Sequence, residues 1–142
     1  MKWLKGNLIM ACLAVMVACM AFMSNGSVAD AMTLQDLQGT YRVMSSEHLN
    51  SIGVNPEGTF VNMVYNNGEL VGTVKKSGSK SNLKAGREVI ADVFVDNNKV
   101  TCTWTCSAGF DWSDCELISY DKGNIIKIVH NAYHSWTMKR VA

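Results

Sequence analysis

Eight short runs of the chain alternate apolar with polar side chains or are rich in β-branched residues: 40–45, 59–66, 69–76, 87–96, 99–106, 115–121, 125–130 and 134–141. A period of two puts alternate side chains on opposite faces, so each run predicts a strand with one buried face. The linkers divide into two groups. Asn67-Gly68, Asn97-Asn98 and Lys122-Gly123 predict two-residue hairpin turns, whereas 46–58, 77–86, 107–114 and 131–133 fall at the other end of an up-and-down meander. The fold class expected is all-β, an antiparallel up-and-down eight-stranded barrel, closed at the end with the tight turns and open at a single mouth. The polar stretch 77–86 lies between two strand patterns, so it reads as a mouth loop rather than a linker.

The turns imply a register. A turn at Asn67-Gly68 sets Tyr65 against Leu70, Met63 against Gly72 and Val61 against Val74. A turn at Asn97-Asn98 sets Val95 against Val100, Val93 against Cys102, Ala91 against Trp104 and Val89 against Cys106, with Thr101, Thr103 and Thr105 on the far face. Lys122-Gly123 opposes Ser119 to Ile126 and Leu117 to Ile128, and the last hairpin opposes Ile128 to Trp136 and Ile126 to Met138. The hairpins share one apolar lining. Ile90, Phe94, Ile118, Ile125 and Val129 are then expected outside, either as scattered surface apolars or as a homodimer or partner surface.

A leader precedes the barrel. Lys2 and Lys5 stand before an apolar run from Leu8 to Met23, and small residues at Ser27, Ala29 and Ala31 offer cleavage sites. Residues 1–31 read as an export signal, leaving 32–142 as one barrel domain in the periplasm or the secreted medium. Met16-Val17-Ala18-Cys19 loosely resembles a bacterial lipobox, so membrane attachment enters only as an alternative, through a lipidated Cys19. Removing Lys2, Lys5 and Asp30 leaves eleven basic and eleven acidic side chains. A neutral domain lacks the basic stripe that releases phosphate counterions, which argues against nucleic acid as a partner.

Gly39-Thr40-Tyr41, opening the first strand after the turn at Leu34 to Gln38, resembles the Gly-x-Trp start of lipocalins and their calycin relatives. The resemblance implies a small lipocalin-like barrel in which Arg140, ending the last strand, packs on the opening aromatic residue Tyr41 at the closed end.

The candidate chemistry gathers at the mouth. The register sets Cys106 against Cys115, Cys115 against His130 and His130 against His134. An exported compartment permits a disulfide, expected between Cys106 and Cys115. The alternative is zinc held by the same cysteines with His130 and His134, although a row across four strands is wide for tetrahedral ligation. His48 lies in the first mouth loop as a further exposed or ligating histidine. One layer deeper come Trp104 and Trp136. With Tyr65 and Met138 they either fill the core or, beside small residues at Gly72, Ala91 and Ser119, wall a cavity for a small apolar ligand. Phe110 and Trp112, in the loop 107–114, read as a barrel cap or as anchors for a protein partner.

No catalytic motif, cofactor motif or positioned nucleophile is found. The expected function is therefore an exported, non-enzymatic binding protein holding a small apolar molecule. The alternative is an interaction protein, such as an exported enzyme inhibitor, acting through loops 46–58 and 107–114.

Overall fold

The alternating runs pair with their chain neighbours, and the last pairs with the first. The computed structural model describes residues 22–23, 31–48, 55–106 and 109–142. The barrel strands are β1 Gly39–His48, β2 Phe60–Asn66, β3 Glu69–Lys76, β4 Glu88–Asp96, β5 Lys99–Thr105, β6 Asp111–Tyr120, β7 Ile125–Asn131 and β8 His134–Arg140. They form a closed antiparallel up-and-down barrel in which β8 returns to β1. Phe22–Met23 pairs with Ala31–Met32 in a short ladder of its own. The rest of the expected leader, with Cys19, lies outside the described residues.

Where a turn residue tolerates positive φ, the register follows from it. Asn67 and Gly68 stand at φ 52° and 83°, and Asn97 and Asn98 at 50° and 65°, the left-handed values that a type I′ hairpin needs at both central positions. Tyr65 then opposes Leu70, Met63 opposes Gly72, Val61 opposes Val74 and Val95 opposes Val100. The turn at Lys122-Gly123 is wider than two residues: Tyr120 pairs with Ile125 around Asp121–Asn124, yet Ser119 still opposes Ile126 and Leu117 still opposes Ile128. Trp136 meets Ile128 and Met138 meets Ile126.

Single extra residues break this regularity. In β4 the register slips by one between Ala91 and Phe94, so that Asp92, at φ 53°, has no position in the ladder. Thr103 Oγ1 donates a hydrogen bond to its carboxylate at 3.1 Å. This β-bulge puts Ile90, not Ala91, opposite Trp104. The expectation of an outward Ile90 is thereby corrected: its side chain is 0% exposed, in the core. Phe94 does face out, and Ile118, Ile125 and Val129 are half-buried. Gly72 leaves no open space beside Ile90 either. A Cβ there would stand 2.8 Å from the Met63 sulfur and 3.0 Å from the Ile90 Cβ.

The closed end is sealed by a turn of 3-10 helix, Leu34–Leu37, whose start is held by Thr33 N–H donating to the Asp36 carboxylate at 2.9 Å. Leu37 and Tyr41 are fully buried there. The Tyr41 hydroxyl donates toward the Gly123 carbonyl at 2.7 Å, with the Leu37 carbonyl at 3.0 Å. Arg140 covers the Tyr41 ring, its guanidinium carbon 5.3 Å from the centroid, and donates to the Tyr41 oxygen and to the Asp36 and Asn124 oxygens. Gly39 lets the chain ends meet: at φ 143°, its added Cβ would stand 2.8 Å from the Ala142 carbonyl oxygen.

Candidate functional site at the barrel mouth

The hairpin from β5 to β6 shapes this end. Rather than an open loop over 107–114, the connection is tight: Cys106 N–H donates to the Phe110 carbonyl at 2.9 Å, and Gly109 N–H donates to the Cys106 carbonyl at 2.8 Å. Gly109, at φ 93°, supplies the left-handed residue such a turn needs. Asp111, Trp112 and Ser113 consequently join β6. Asp111 accepts from the Thr105 hydroxyl and forms an exposed ion pair with Arg87 at 3.6 Å.

Pulling the hairpin tight moves the register by four residues, an even number that keeps each side chain on its expected face. Cys115 now opposes Cys102, not Cys106. The expected Cys106–Cys115 disulfide is not formed, and Cys102, Cys106 and Cys115 are all free, buried thiols. A second bulge follows, where the register slips between Cys102 and Trp104. Ser113 and Asp114 share the place opposite Thr103, with Asp114 at φ 57°. The result is Trp112 directly opposite Trp104.

Trp112 is therefore no loop anchor. Its ring lies 5.3 Å from that of Trp104, stacks on His130 at 4.4 Å and 8°, and meets His134 at 4.7 Å. Trp104 in turn meets Trp136 edge-on at 5.4 Å. A continuous aromatic column thus runs from the buried Trp136 up to His130 and His134 at the rim. Aromatic pairs of this geometry contribute roughly 0.5–1.5 kcal/mol each beyond the area they bury. His130 is itself a bulge position, since His134 pairs with Asn131 and Ser135 with Val129, so the two histidines are not directly opposed. Their ring centroids are 6.3 Å apart. His48 belongs to β1 and pairs with His134 rather than sitting in a loop.

Cys115 remains beside His130 as expected, Sγ to Nδ1 at 3.8 Å, and its thiol donates to the Trp112 carbonyl at 3.4 Å. Burial pushes the Cys102 thiol up to about 12, reinforced by Cys115. Cys115 is pushed up to about 11, by burial first and then by the Asp114 carboxylate. Neither is a ready thiolate at neutral pH. Among the described residues no group of three or more His, Cys, Asp or Glu is placed to hold a metal ion, so the four-ligand zinc set is not assembled.

The remaining candidates divide. Met138 is buried in the lining, and Tyr65 is half-buried beside the Asn67-Gly68 turn, its N–H donating to the Gln38 side chain at 3.1 Å. Phe110 is 64% exposed at the tip of its hairpin, and Tyr133, which the sequence reading passed over, is 60% exposed in the neighbouring turn. On the outer wall, a groove of about 360 Å³ is lined by Val64, Asn66, Asn67, Glu69, Val71, Thr73 and Glu88.

One polar atom in the aromatic column is unaccounted for. Trp104 is 1% exposed, and its Nε1–H has no hydrogen-bond partner among the described residues. Sequence alone carries no signal for this, because it depends on which neighbour the β4 and β6 bulges bring to the indole edge. No family model matches the chain, and no curated protein or solved structure matches it.

Proposed function

We propose that this is an exported, non-enzymatic binding protein whose lipocalin-like barrel holds a small, largely apolar molecule among the mouth aromatics. The supporting observation is the unpartnered indole N–H of Trp104. Leaving a buried donor unpaired costs about 1–3 kcal/mol, and native proteins rarely accept it. A flat apolar molecule carrying one acceptor, such as a carbonyl oxygen, would relieve that cost. It would be gripped by Trp104 and Trp136, with Met138 and Tyr65 deeper in the lining and Trp112, His130 and His134 above. Mostly apolar walls with a single polar anchor are the usual composition of such pockets. The arginine over Tyr41 and the glycine before it agree with the lipocalin resemblance. Export rests on the leader pattern of residues 1–31, with a lipid on Cys19 as the alternative route to a membrane.

The test is native mass spectrometry of protein recovered from an exporting host, followed by titration of an aromatic ketone against tryptophan fluorescence. A retained small mass, or saturable quenching that weakens roughly two- to tenfold in Trp104→Phe as expected for one neutral hydrogen bond, supports the reading. The absence of both a retained mass and saturation in the wild type would overturn it.

A second reading has its own observation: Phe110 and Tyr133 expose two aromatic rings on adjacent mouth turns. An interaction protein, such as an exported inhibitor, would use them as anchors. Trp112, on β6 rather than in the loop, is half-buried with its ring against Trp104 and His130, so it would contribute beside them rather than from a loop tip. Phe110→Ala should then abolish capture of a partner while leaving the melting temperature unchanged.

A further inference from the structure

We propose that oxidation joins Cys102 to Cys115 in a cross-strand disulfide behind the mouth aromatics, leaving Cys106 as the free thiol. The two residues are register partners on β5 and β6. Both point inward, at 2% and 0% exposure. Directly opposed residues of an antiparallel pair hold their Cβ atoms about 4.5–5.5 Å apart, close to the roughly 3.5–4.5 Å that a disulfide spans. The bulge at Ser113 and Asp114 adjoins the pair and gives β6 the local twist to close the difference. Cys106 lies four residues farther along, about 13 Å of extended chain from the position opposite Cys115.

The chemistry has a proton acceptor at hand. His130 Nδ1, 3.8 Å from Cys115 Sγ, takes the thiol proton when its tautomer leaves that nitrogen free. The Cys115 thiolate attacks one sulfur of a low-molecular-weight disulfide, and the other sulfur departs as a thiolate that takes up a proton. The Cys102 sulfur then attacks Cys115, expelling the second small thiol with the Cys102 proton. Two protein thiols lose two protons and two electrons, and the small disulfide is reduced to two thiols. Cys115 is 0% exposed, beside His130 and the Trp112 carbonyl, so the oxidant enters only when this end of the barrel opens. Once made, the bond pins the bulge that sets Trp112 against Trp104.

The full chain, reduced and then incubated with oxidised glutathione, is alkylated and cleaved without reductant. Residues 100–121 contain no Lys or Arg, so a chymotryptic digest is used, cutting after Trp104, Phe110 and Trp112 to separate the three cysteines. The expected product is a Cys102 peptide linked to a Cys115 peptide, lighter by two hydrogens, with Cys106 alkylated. The melting temperature of the oxidised protein should exceed that of the reduced form. Cys106→Ser should form the same bond and Cys102→Ser should not. A bond from Cys106 or from a leader cysteine to Cys115 in the wild type overturns the proposal. So does alkylation of all three barrel cysteines after oxidation, an outcome that needs no variant to fold.

Discussion

Trp136 and Gly39 show two different ways in which one residue constrains this barrel. Trp136 is buried between Ile128 on β7 and the edge of Trp104, so truncating it removes both transferred area and a wall of the aromatic column. As a core residue, Trp136→Ala should cost roughly 3–5 kcal/mol of stability, read from the urea midpoint. A loss well below that range would show that its packing on Ile128 and Trp104 contributes little to the fold. Gly39 works by having nothing to fit. Its φ of 143° disfavours any side chain, and the Ala142 carbonyl and Arg140 side chain occupy the position of its missing Cβ. Gly39→Ala should therefore destabilise by about 1–3 kcal/mol, through displacement of the C-terminal residues that hydrogen-bond to Thr40. Unchanged stability would show that this seam between β8 and β1 yields readily.

At the scale of strands, the barrel's irregular places are its informative ones, and two of them carry an aspartate at positive φ. Asp114, at φ 57°, is a left-handed residue inside β6. A β-branched residue there is strongly disfavoured, whereas in a regular strand it would help. Asp114→Val should lower stability by about 1–3 kcal/mol and disturb the fluorescence of Trp112 and Trp104. A neutral or stabilised variant would mean that β6 runs straight. The same contrast explains what could be read from sequence. Asn67-Gly68 and Asn97-Asn98 announce their left-handed geometry by residue type, so the register beside each turn is legible, in the second hairpin only as far as the bulge at Asp92. Asp92 looks like an ordinary polar member of an alternating run and Asp114 like a loop residue, and nothing about either marks the extra residue. Hence the pattern places Ile90 outside, while an open loop over 107–114, which hides the tight turn from Cys106 to Phe110, leaves Trp112 in the loop and Cys115 opposite Cys106. The faces nonetheless held for the cysteines, because the tightened hairpin shifted them by an even number of places. Cys115 and His130 were found together for the plainer reason that the wide turn after Tyr120 preserves the sum of paired positions. The orphan indole N–H was illegible altogether, being a product of packing rather than pattern.

For the whole molecule, these buried acids predict how the reduced barrel responds to alkali. Cys102 is pushed up to about 12 and Cys115 to about 11, each chiefly by burial, against an ordinary thiol value of 9.0. Burial also raises Tyr41 above its ordinary 10.0, with Arg140 beside it pulling the other way. A raised folded value means that the folded chain keeps protons which the unfolded chain has already released. The stabilisation is complete below pH 9.0, and it drains away as pH climbs through about 11 for Cys115 and about 12 for Cys102. The urea midpoint of the reduced protein should fall steadily over that window. Replacing Cys102 and Cys115 together with alanine should flatten the slope, leaving the part due to Tyr41. Oxidation supplies an independent arm, because a Cys102–Cys115 disulfide has no proton to lose. If the bond forms, the oxidised wild type should match the double variant in slope while exceeding it in midpoint. A reduced protein whose midpoint is level across this range would show that its thiols are solvated, against their place in the core.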